Sequence, residues 1–142
     1  MAFAFQVTFD AADPAALAGF WKQVLGYIEE PPPEGWSTWT DWATEMGIPE
    51  DHWNDQSAIV DPAGAGPRVF FQKVPESKTV KNRVHLDVRA APGLAHDERQ
   101  ARLREEADRL QTLGATRLYE VEEPGEFWIT MADPEGNEFC LD

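Results

Sequence analysis

Cysteine is almost missing from this chain: of 142 residues only Cys140, near the carboxyl end, carries a thiol. One thiol cannot close an intrachain disulfide, so packing must hold the fold together. Basic residues are also scarce, 12 Lys and Arg against 26 Asp and Glu, which gives a formal charge of -14 and a pI near 4.5. A surface of that sign repels a phosphate backbone or an anionic lipid, which excludes nucleic acid and membrane partners. No apolar run approaches the roughly 20 residues of a spanning helix, and MAFAFQVTFD lacks a basic segment followed by an apolar stretch. The expectation is a soluble, cytoplasmic protein. What the chain does hold is 42% hydrophobic residues, enough for a single domain over 1–142 with a core of its own.

Two segments have helical periodicity. In DPAALAGFWKQVLG, Asp13 is a natural N-cap, Pro14 suits the first helical position, and Leu17, Phe20, Trp21, Val24 and Leu25 share a face until Gly26. In HDERQARLREEADRLQTLGA, the stripe is Leu103, Ala107, Leu110 and Leu113, with Glu98–Arg102 and Glu105–Arg109 spaced for exposed pairs. The remaining apolar stretches read as strands: FAFQVTFD, GYIEE, SAIVD, PRVFFQKV, NRVHLDVR, ATRLYEVEE, EFWITMA and NEFCLD. Their order is β-α-β-β-β, twice.

The residues themselves support a duplication. QVTFDAADPAAL lies on HLDVRAAPGLA, which pairs Gln6 with His85, and each half later turns at Asp-Pro-x-Gly, DPAG from Asp61 and DPEG from Asp133. Laying GPRVFFQ on GNEFCLD pairs Phe70 with Cys140. Module 1 then covers about 1–75 and module 2 about 81–142. Module 1 carries an insertion, about 31–57, that holds four of the six tryptophans. Ser37 or Thr38 can cap a short helix there on which Trp39, Trp42 and Met46 share a face. Such a segment is either a satellite core that steadies a long connection or a lid over a cleft.

With these features the sequence resembles the vicinal-oxygen-chelate superfamily, which includes glyoxalase I, extradiol dioxygenases and bleomycin-resistance proteins. FDAADPAALAGFWKQVLGY, NRVHLDV and ADPEGNEFCLD carry the likeness along the whole chain, and FFQKVPE with the Trp-rich insertion points to glyoxalase-like members. The resemblance implies an α/β (α+β) fold of paired βαβββ modules, a curved mixed sheet around a cleft, and a homodimer. Metal-using members take a ligand from the first strand of each module and commonly a Glu from the last. Those positions are here Gln6 and His85, then Phe70 and Cys140. Phe70 cannot ligate a metal and Cys140 must lose a proton first. No metal is favoured; if one binds, the set is Gln6, His85 and Cys140, and zinc is the divalent ion that suits it.

Strand alternation sorts the other candidates. His85 and Asp87 share a polar face, with Val84, Leu86 and Val88 expected to pack on helices; Gln6 aligns with Thr8 and Asp10, opposite Phe5, Val7 and Phe9. The candidate ligand-binding residues are Gln6, Phe70, His85, Asp87, Trp39, Trp42, Trp128 and Cys140, with His85 as the candidate acid/base. Asp87 either orients His85 or forms a structural ion pair, and Cys140 is read as a cleft-lining thiol. Glu138 is expected to be an exposed strand-end residue, and His52 and His96 to have no catalytic part. The expected work is holding a small organic molecule. Metal-dependent lyase, isomerase or dioxygenase chemistry on a small carbonyl or aromatic compound is the alternative.

Overall fold

The computed structural model describes residues 1–142. In chain order the elements are β1 (Val7–Ala11), α1 (Pro14–Leu25), β2 (Ile28–Glu29), α2 (Trp39–Glu45), a 3-10 turn (Glu50–Asp55), β3 (Gln56–Val60), β4 (Val69–Lys73), β5 (Asp87–Val88), α3 (His96–Thr112), β6 (Thr116–Glu123), β7 (Glu126–Ala132) and β8 (Glu138–Leu141). The β-α-β-β-β order occurs twice, with α2 and the 3-10 turn inside the insertion. The chain divides into two compact units, Met1–Ser77 and Lys78–Asp142. Each has a four-stranded mixed sheet, of order β1-β4-β3-β2 and β5-β8-β7-β6. In each sheet the first strand lies parallel to the last, and the remaining pairs are antiparallel. No helix is long and apolar enough to cross a membrane.

In the first unit, Asp13 caps α1 by accepting from the Ala16 N–H at 3.1 Å, and Gly26 ends it with a φ of 68°, a left-handed turn that suits a residue without a Cβ. Leu17, Phe20, Trp21 and Val24 are buried, together with Ile59, Val69 and Phe71 of the sheet. Phe9 stacks on Phe71 at 5.4 Å and tilts against Trp21 at 5.0 Å, which joins sheet to helix. In the second unit, Leu103, Ala107 and Leu110 of α3 and Phe127, Ile129, Met131, Phe139 and Leu141 of β7 and β8 are all within 1% of complete burial. Alternation leaves the opposite face of each sheet to the polar residues.

The registers agree with the duplication. Thr8 lies opposite Phe70 in the parallel pair β1/β4, and Asp87 lies opposite Cys140 in β5/β8. Thr8 and Asp87 are each two residues beyond the paired positions Gln6 and His85. The shared turn also recurs: Asp61 accepts from the N–H groups of Ala63, Ala65 and Gly66, and Asp133 from those of Glu135 and Asn137.

Several local expectations are corrected. The first strand of each module is short: β1 begins at Val7 and β5 at Asp87, so Gln6 and His85 precede the ladders. Phe5 and Val84 therefore have no sheet neighbour to pack with and are 73% and 81% exposed. Leu113 is the C-cap of α3 and Met46 that of α2; where the helix ends its stripe ends too, and both are exposed. Arg102 and Arg109 both turn to Glu106, at 3.5 and 2.6 Å, instead of staying in the spaced pairs read from the sequence. Glu106 is buried, and the Arg109 hydrogen bond holds its carboxyl below the usual range against the opposing effect of burial.

Candidate functional site

The Trp-rich insertion roofs a cavity of about 800 Å3 in the first unit. Its floor is the polar-side face of the sheet, where Phe70 of β4 lies opposite Ala58 of β3, a side chain small enough to leave the space open. Its roof and walls include Trp39 and Trp42 of α2, then Ile48, Pro49 and Trp53. Thr38 caps α2 by accepting from the Asp41 N–H, which fixes where the two indoles start. They meet edge to face at 5.4 Å. The Trp39 Nε1–H donates to the Glu30 carbonyl at 2.7 Å, and the Trp53 Nε1–H to the Ile48 carbonyl at 2.9 Å. Asn54 binds the insertion to the start of α1: its Nδ2 donates to Asp13 and its Oδ1 accepts from the Ala15 N–H, both at 2.8 Å. The Asn54 bond is also the largest cause of a lowered Asp13 carboxyl pKa.

Arg68, just ahead of β4, crosses this floor. Its Nε and Nη2 donate to the two carboxylate oxygens of Glu30 at 3.0 and 2.7 Å, its Nη1 donates to Gln6 Oε1 at 3.0 Å, and its guanidinium lies 5.1 Å from the Phe70 ring centre. Sequence reasoning passed over Arg68 and Trp53 as site residues and gave His52 no catalytic part. Arg68 shares the parity of Phe70, a signal that could have found it. His52 lies on the cavity rim with Nδ1 2.8 Å from Asp55, and that bond raises its pKa, helped by the charges of Asp51 and Asp55.

The second unit brings together three of the expected residues. Strand alternation places Asp87, Cys140, Thr130 and Trp128 on one face, since Asp87 lies opposite Cys140 and Cys140 opposite Thr130. His85 Nε2 is 3.2 Å from Asp87 Oδ1. One donor atom each from His85, Asp87 and Cys140 lies within 4.8 Å of the others, a group able to hold a metal ion. The thiol is buried and 3.5 Å from the Thr130 hydroxyl. Burial pushes its pKa up, and the Asp87 and Asp142 carboxylates push in the same direction against the Thr130 bond. A protonated, enclosed thiol is a poor nucleophile. In the folded protein at neutral pH, iodoacetamide therefore labels Cys140 at least about 100-fold more slowly than in urea; equal rates measured by mass spectrometry would contradict this placement.

Glu138 is not the exposed residue expected. Burial alone would raise its pKa, but the Asn82 N–H at 3.0 Å and Lys78 at 3.4 Å outweigh it, so the carboxyl is held low and already satisfied. That leaves it unsuited to act as a base near neutral pH. His96 sits 3.4 Å from Glu122 and 2.9 Å from Gln100 at the start of α3.

Two mixed sheets built from repeated β-α-β-β-β units have the fold of the vicinal-oxygen-chelate superfamily, and the family match below places the chain in it. The chain belongs to the glyoxalase-like domain family, whose sequence model matches residues 6–141. No curated protein sequence matches it. Among solved structures it resembles the fosfomycin resistance protein FosX of Mesorhizobium loti, at 13% identity over 99% of this chain and 90% of that one, with a TM-score of 0.63. A glyoxalase/bleomycin resistance protein/dioxygenase family enzyme of Burkholderia phytofirmans PsJN is 16% identical over 96% and 94%, with a TM-score of 0.60. The E126Q mutant of Listeria monocytogenes FosX, complexed with Mn(II) and 1S,2S-dihydroxypropylphosphonic acid, is 14% identical over 99% and 89%, with a TM-score of 0.61. At these identities the likeness is one of fold.

The residues do not fit the four-ligand metal set that the superfamily implies. Phe70 offers no donor, and the Gln6 oxygen already receives the Arg68 guanidinium, whose charge would oppose a divalent ion beside it. What the chain retains is the different trio of His85, Asp87 and Cys140, in which a carboxylate replaces the amide of the expected set.

Proposed function

We propose that this protein holds a small organic molecule in the cavity beneath its Trp-rich insertion, with the inherited metal site degenerate. The observation that carries this reading is the position of Phe70, a residue that cannot ligate, as the floor of a cavity walled by indoles. Its volume falls in the usual range for small-molecule sites, and apolar walls with a few fixed polar groups are their usual lining. A small-molecule partner and a homodimer belong to the same reading.

Metal-assisted lyase, isomerase or dioxygenase chemistry is the second reading, and the His85, Asp87 and Cys140 trio favours it. Zinc would suit these donors, with water completing a tetrahedron; bound there, it would polarise a substrate oxygen. The chain's own part would be to hold the imidazole, which Asp87 does at 3.2 Å.

Metal analysis of the untagged chain, purified without chelator and then dialysed against zinc, separates the two. Under the first reading metal stays well below one per chain, and quenching of tryptophan fluorescence by small aromatic compounds is lost in Trp42→Ala. Near-stoichiometric metal that Asp87→Asn and Cys140→Ser abolish would establish the second reading instead.

A further inference from the structure

We propose that the cavity of the first unit selects an organic cation, an aromatic or alkyl ammonium compound of one or two rings, over neutral or anionic molecules of the same size. This deepens the reading above and rests on the cavity being a ligand site. Four aromatic rings line it, and two of their indole N–H groups and its one guanidinium are already engaged within the protein. The Trp39 and Trp53 indole N–H groups are bonded to backbone carbonyls, so these rings offer π surface and no donor. Arg68 spends Nε and Nη2 on Glu30 and Nη1 on Gln6, which leaves its charge neutralised within the floor. Its position over Phe70 shows that the floor already accommodates a cation against a ring.

The surrounding charge points the same way. Between Trp39 and Asp55 the roof carries Asp41, Glu45, Glu50, Asp51 and Asp55, and neither Lys nor Arg. In the whole unit Met1–Ser77 the only Lys and Arg residues are Lys22, Arg68 and Lys73. A concave, partly apolar site inside such a field concentrates cations and repels anions. The ring faces add a quadrupole of the same preference. His52 is the rim group that becomes positive on protonation, which opposes it; it faces Asp51, Asp55 and Lys73, and its proton, once on, offsets Asp55.

The test compares three molecules of one two-ring skeleton by equilibrium dialysis against the full chain at low salt, above the titration range of His52: 1-methylquinolinium, 1-methylnaphthalene and 1-naphthoate. The expected order is cation, neutral, anion, with the cation at least about tenfold tighter than the neutral compound, and the gap narrowing at about 0.5 M salt. Trp42→Ala weakens the cation at least about fivefold, with Phe70→Leu as the second variant if that one fails to fold. Asp55→Asn narrows the gap between cation and neutral compound. Equal or tighter binding of the neutral compound overturns the charge preference and leaves the ligand site standing. Failure of all three to bind the folded wild-type chain overturns both, and binding indifferent to Trp42→Ala and Phe70→Leu moves the ligand out of this cavity.

Discussion

Phe71→Ala lowers the unfolding free energy by about 3–5 kcal/mol, whereas Phe70→Ala, one residue away, lowers it by only about 1–2 kcal/mol and removes ligand capture instead. Phe71 is 0% exposed and stacked on Phe9 at 5.4 Å, on the sheet face that meets α1, so truncation opens a void between strand and helix. Phe70 points to the cavity side, half-buried, with Arg68 above it. Removing it deletes floor area and a cation–ring contact but leaves the core intact. Urea unfolding monitored by circular dichroism, paired with fluorescence quenching on each variant, reads both effects. Comparable destabilisation by the two substitutions would mean that the cavity is part of the core and not a binding surface.

Asp133→Ala costs about 2–4 kcal/mol, an effect out of proportion to a turn residue. The residue is 3% exposed, and its carboxylate accepts from the Glu135 N–H at 2.9 Å, the Asn137 N–H at 2.9 Å, and the Asn137 side chain at 2.9 and 3.1 Å. Alanine leaves those donors without an acceptor in a place that water reaches poorly. Asn keeps an oxygen for the backbone but turns an amide toward the Asn137 amide, so its cost is about half. Because this turn joins β7 to β8, the strands that carry Thr130 and Cys140, iodoacetamide labelling of Cys140 speeds up in the alanine variant. Wild-type urea midpoint and wild-type labelling in Asp133→Ala would show that the turn is held by its backbone alone.

Much of this architecture was legible because it rests on local chemistry. Asp13, Pro14 and Gly26 delimit α1 by capping and dihedral preference, and two Asp-Pro-x-Gly turns mark the same point in each repeat. Alternation put His85 and Asp87 on one face, and laying one repeat on the other matched Phe70 with Cys140; the strand registers then set Asp87 beside Cys140. What failed depends on partners distant in sequence. Nothing within FAFQVTFD says that Phe5 lies beyond the end of its ladder, because that is decided by where β4 begins. Arg68 was invisible as a site residue for the same reason: its role is set by Glu30, 38 positions away. Glu106, in the middle of a charged helix, gives no sign in the sequence that two arginines will converge on it and let it be buried.

The clamp between Arg68 and Glu30 bears on how the insertion moves. β2 has only two residues at the edge of its sheet, and Arg68 reaches from the head of β4 across β3 to Glu30, whose carbonyl in turn receives the Trp39 indole. Edge strand, roof and floor are thereby fastened through one residue. In amide hydrogen exchange the segment around α2 should therefore open together with β2, as one cooperative unit, and not flap ahead of it as an independent cover. Trp39→Phe, which removes the indole bond to the Glu30 carbonyl, would split that unit and leave the α2 amides to exchange faster than those of β2.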